Sequence, residues 1–77
     1  MTTDIIEDWE QYACNTLKAE LARAGVSYGE LAARLEEIGI QESYKGIAAK
    51  INRGTFSFAF FAQCCHALGI KMIRLMD

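Results

Sequence analysis

SYKGIAAKINRG, running from Ser43 to Gly54, decides how this chain is read. Placed on a helix at about 100° per residue, it divides into two opposite faces. Tyr44, Ile47, Ala48 and Ile51 share one side, at the i, i+3, i+4, i+7 spacing of a buried stripe. Lys45, Gly46, Ala49, Lys50 and Arg53 occupy the other, which is cationic and nearly bare of side chain at Gly46 and Ala49. A short helix anchored behind and small and basic in front suits the major groove of DNA. A plain solvated face would also account for three positive charges.

Strong boundary signals surround this stretch. Ser27-Tyr28-Gly29-Glu30 forms a capping box and opens a helix carrying Leu31, Ala32, Leu35 and Ile38, which stops at Gly39. Ile40-Gln41-Glu42 connects it to the Ser43–Gly54 helix. Ser57 is the expected N-cap of a following helix that ends at Gly69, with Phe58, Phe61, Cys64, Cys65 and Leu68 on its apolar face and Phe60 at the margin. Gln63 and His66 lie opposite.

Upstream, Asp4-Ile5-Ile6-Glu7 resembles a capping box with Asp as the cap, so a long first helix is expected from there to Gly25. Its stripe is Ile6, Trp9, Ala13, Leu17, Leu21 and Ala24, widened by Ile5 and Tyr12. Some twenty helical residues would span about 30 Å, so the front of this helix projects past a small core or pairs with something. In the tail IKMIRLMD, the spacing of Ile70, Ile73 and Met76 favours a short helix over the strand-like alternation of Ile70-Lys71-Met72. The class is therefore all-α, with four to five helices in one domain: an N-terminal helical extension over 3–14, the paired helices over 27–54 and an apolar tail over 70–77.

Composition bounds the function. The 77 residues, without proline, make at most one domain, and a lone monomer of this size is marginally stable. The net charge of −2 excludes indiscriminate coating of nucleic acid. The halves differ, however: residues 1–40 carry −5 and residues 41–77 carry +3, which suggests a directed electrostatic face. MTTDIIEDWE has no basic region followed by an apolar run, and no stretch approaches the roughly 20 apolar residues of a membrane span. With three cysteines, an odd number, a reducing cytoplasm is the expected location and no membrane is expected as a partner.

Two helices joined by a short glycine-containing connection, the second with a basic outer face, make a helix-turn-helix candidate. Residues 15–70 resemble the lambda-repressor-like (xenobiotic-response-element-type) helix-turn-helix family. The matching pieces are VSYGELAARL, KINRG and HALGI, where the family shows a T-Q-E-E-L-A opening, an I-x-R-x-E-x-G-x closure and an A-x-A-L-G-V ending. The chain is also similar to a group of small bacterial proteins with the signature GVSYxELA, KIxRGTFS and a phenylalanine pair, here Gly25–Ala32, Lys50–Ser57 and Phe60-Phe61; that resemblance brings no established function. Two departures from the helix-turn-helix pattern stand out. The connection is about three residues longer than the compact pattern. Gly46, Ile47 and Ala49 stand where polar base-reading side chains are common, so weak sequence selectivity is expected.

The resemblance implies a compact lambda-repressor-like domain binding double-stranded DNA, with Lys45, Gly46, Ala49, Lys50 and Arg53 in the major groove. It further implies phosphate contacts from Tyr28, Thr55 and Ser57, the last two at a helix N-terminus. The plainer alternatives are a half-buried Tyr28 and a Ser57 that only caps. Cys64-Cys65-His66 is not a metal site, because adjacent helical residues point about 100° apart and Cys14 alone cannot complete a ligand set. Both cysteines read as buried small hydrophobes. Without a serine or acid partner, His66 supports no nucleophile, so neither enzymatic activity nor a cofactor is expected.

Apolar area exceeds the need of one core. Ile5, Trp9, Tyr12, Phe60 and Ile73 are therefore candidate contacts in a homodimer, or between the helical extension and the tail. The leading function is a DNA-binding transcriptional regulator. The alternative is a protein–protein module, adaptor or antitoxin-like, on the same scaffold. RNA binding is disfavoured, since the aromatics sit at core spacing.

Overall fold

Each helix starts where a side-chain oxygen accepts an otherwise unpaired backbone N–H, the physical content of an N-cap. The computed structural model describes residues 8–73 and 75, which form α1 (Trp9–Ala24), α2 (Tyr28–Glu37), α3 (Tyr44–Arg53) and α4 (Phe58–Leu68). Asp8, Ser27, Ser43 and Ser57 cap them, accepting from the backbone N–H groups of Gln11, Glu30, Gly46 and Phe60. At α2 the box is complete, since Ser27 N–H donates back to Glu30 Oε1 at 3.1 Å. The described residues are all-helical, with no strand.

α1 and α2 each pack across both α3 and α4, while α1 and α2 make no close backbone approach to one another. The core lies where the four meet: Leu17, Leu31, Leu35, Ile47, Ile51 and Cys64 are fully buried, joined by Cys14, Leu21, Val26 and Phe60. Fully burying an aliphatic side chain contributes about 1.5–3 kcal/mol, so Ile47 and Ile51 firmly anchor α3. The C-terminal end of α3 is fixed by Gly54, at φ 74°, where a Cβ would collide with the Glu10 carbonyl of α1. Only glycine allows both the left-handed backbone and this approach of two chains.

Several expectations need correction. α1 begins at Trp9 behind Asp8, whose φ of −126° and ψ of 94° are extended; the proposed Asp4 start, with Ile5 and Ile6, lies outside the described residues. The buried residues of α1 are Cys14, Leu17 and Leu21, whereas Trp9 is 61% exposed and Ala24 is exposed too. Both stand at the ends of the helix, beyond the core's reach. Tyr44 is 56% exposed for the same reason, as the first residue of α3. On α4, Phe60 and Cys64 face the core, while Phe58 is 80% exposed and Cys65 half-buried. A run of four phenylalanines covers so wide an arc that periodicity alone cannot choose the buried ring. The expected tail helix is absent over 70–73, which form neither helix nor strand. Tyr12 Oη donates to the carbonyl of Leu75, so the tail does meet α1.

Candidate nucleic-acid interface

α3 presents the basic surface, and its orientation follows from the two isoleucines behind it. With Ile47 and Ile51 in the core, the outward arc holds Lys45, Ala49, Asn52 and Arg53, all exposed and spaced i, i+4, i+7, i+8. Among the described residues, no ion pair engages Lys45 or Arg53. Gly46, half-buried at the edge of this arc, leaves the Ser43 and Glu42 side chains only 3.2 Å from where a Cβ would stand.

Lys50 is placed differently from its expected role. Its ammonium forms an ion pair with Glu42 and sits 5.0 Å from the centre of the Phe60 ring. A cation over an aromatic face is held by the ring quadrupole, and the carboxylate completes the clamp. Lys50 is thus turned toward the α2–α3 connection and α4, away from the open arc. Glu42 reaches it because the connection, residues 38–43, is longer than a minimal turn. Gly39, at φ 89°, closes α2, and Ile40 N–H bonds back to the Leu35 carbonyl at 2.9 Å before Ile40 returns to the core.

The three flanking candidates separate. Thr55 and Ser57 are exposed directly after α3, and Ser57 Oγ accepts from Phe60 N–H at 3.0 Å while its own hydroxyl proton stays available. Tyr28 packs against the core and lines a shallow hollow with Lys18, Leu21, Val26 and Ser27, in agreement with the half-buried alternative. Two residues escaped the sequence reading. Asn52 was detectable, lying seven residues beyond Lys45 on the same face. Glu42 was not, because eight residues and a helix start separate it from Lys50.

No group of three His, Cys, Asp or Glu side chains among the described residues could hold a metal ion. Burial pushes the Cys64 thiol up to about 12, so it stays protonated and inert near neutrality. Cys65 is also raised, chiefly by burial and then by the charge of Glu20. No helix among the described residues is long and apolar enough to cross a membrane.

The arrangement defines a small all-helical domain with one firmly anchored, outwardly basic helix. The chain belongs to the family described as Domain of unknown function (DUF6471), whose family model matches residues 9–73. That span includes all four helices. Comparison with curated proteins and with solved structures finds no match.

Proposed function

We propose that this protein binds double-stranded DNA, as a cytoplasmic transcriptional regulator of the helix-turn-helix type that lays α3 in the major groove. One observation carries the reading: Lys45, Ala49, Asn52 and Arg53 form an exposed stripe on a helix whose opposite side is locked in the core. Asn52 can bond the N6 and N7 edge of adenine, Ala49 can meet a thymine methyl group, and the two cations can reach guanine or phosphate. Thr55 and Ser57 add neutral phosphate donors beside the stripe. With Lys50 held by Glu42, selectivity rests on Asn52 more than on the number of positive charges.

A gel-shift titration of random and genomic duplexes tests this at low salt. Lys45→Glu weakens binding at least tenfold, whereas Lys18→Glu, on the exposed side of α1, leaves it within about twofold. Equal losses from the two variants would show a merely electrostatic attraction.

A second reading, a protein–protein module on the same scaffold, draws support from the Glu42–Lys50 pair, which withdraws one of the three cations of α3. Absence of duplex affinity at low salt, together with a stable complex in pull-down, would decide for it.

A further inference from the structure

A second surface, built from the opposite chemistry, borders α1, α4 and the tail. Trp9, Tyr12, Phe56, Phe58, Phe61 and Leu75 line a hollow of about 400 Å³. Phe58 and Phe61 also line a neighbouring hollow of about 330 Å³, which continues to Ile70, Met72 and Ile73. The two hollows therefore form one continuous face, with the Phe58 ring standing between them. Trp9, Phe58, Met72 and Leu75 are 61, 80, 87 and 60% exposed.

We propose that the chain associates with a second copy of itself through this face, with Phe58 of each protomer entering a hollow of the other. Three observations select that occupant. The first is area: the four exposed side chains leave on the order of 600 Å² of mostly apolar surface. That is at the upper end of the largest patch on an ordinary monomer. Together with half-buried Tyr12, Phe61 and Ile73, it approaches the roughly 800 Å² per partner of a stable interface. The second is shape. A twofold interface must be self-complementary, and a protruding ring flanked by hollows that it helps to line meets that condition.

The third is charge. Among the described residues, His66 and Lys71 are the only basic side chains lining either hollow and no acidic one does, which is too little charge for a DNA-binding surface and sets no strong like-charge barrier against a second copy. The proposal stands whether or not α3 binds DNA. Of the residues expected from the sequence to make a dimer contact, Trp9, Tyr12 and Ile73 lie on this face. Phe60 does not, being 4% exposed within the core, and Ile5 is outside the described residues.

Sedimentation equilibrium of the full chain up to about 100 μM reads the association directly. The expected result is a dimer for the wild type and for Lys45→Glu. Phe58→Glu and Met72→Glu should raise the dissociation constant at least tenfold with unchanged helical circular dichroism. Both positions are exposed, so these variants fold, and each serves as the check on the other. A wild-type monomer at the highest concentration overturns the proposal. So does a dimer unaffected by both substitutions, which would place the interface elsewhere. A monomer that co-sediments with anionic phospholipid vesicles also overturns it and assigns the face to a membrane surface.

Discussion

α3 and α4 lie on the same core yet present opposite chemistry to their surroundings. α3 buries Ile47 and Ile51 and turns Lys45, Ala49, Asn52 and Arg53 outward. α4 buries Phe60 and Cys64 and leaves Phe58 in the open. Both are capped by serine and closed by a left-handed glycine. The difference lies entirely in what the outer arc carries, and it shows that one small fold can divide its surface into a polar, cationic side and an apolar side. The first suits a charged polymer, the second another protein surface.

The sharpest break in this comparison comes from two phenylalanines on the same helix. Phe60→Ala removes a core ring and costs about 3–5 kcal/mol in chemical denaturation, whereas Phe58→Ala changes monomer stability by no more than about 0.5 kcal/mol. Gly54→Ala comes next, because Gly54 joins the end of α3 to the first turn of α1. A left-handed backbone and a collision with the Glu10 carbonyl together cost roughly 3 kcal/mol or more, read as a lowered melting temperature.

A third test uses alkaline pH. Folded Cys64 keeps its proton up to about 12, while the unfolded thiol ionises near 9.0. The folded state therefore binds more protons between these values. Its contribution is intact below about pH 9 and is lost as pH rises through that window, at no more than about 1.4 kcal/mol per pH unit. Denaturation curves of Cys64→Val should show a correspondingly shallower alkaline loss. The smallest effect is expected at Glu42. Glu42→Gln releases Lys50 and lowers stability by about 1 kcal/mol or less, since the pair is partly exposed. It should raise duplex affinity several-fold in the same gel-shift titration.

How much of this was legible beforehand depended on whether the signal was local. The Ser27 and Ser57 caps and the glycines at 25, 54 and 69 were readable because capping is chemistry within a few residues. So was the stripe of Ile47 and Ile51. The Asp8 cap of α1 was not legible because Asp4 and Asp8 both offer a capping carboxylate, and sequence does not say which one the packed helix uses. Phe60 and Phe58 were exchanged because phenylalanines stand at 56, 58, 60 and 61, and a polar side of only Gln63 and His66 is too narrow to fix the rotation. The Glu42–Lys50–Phe60 clamp joins three separate elements, and no short-range pattern encodes it. Asn52 was accessible from spacing but was passed over beside its cationic neighbours.

The docking of the open stripe of α3 on duplex DNA is a proposal that experiment can reach directly. Its most direct test is the slope of log affinity against log salt for the wild type and for Lys45→Ala/Arg53→Ala. Each lost phosphate contact lowers the slope by about 0.9. If both cations grip the backbone, the double variant should lose roughly two units of slope along with most of its affinity. Unchanged slope and affinity in the double variant would contradict the account.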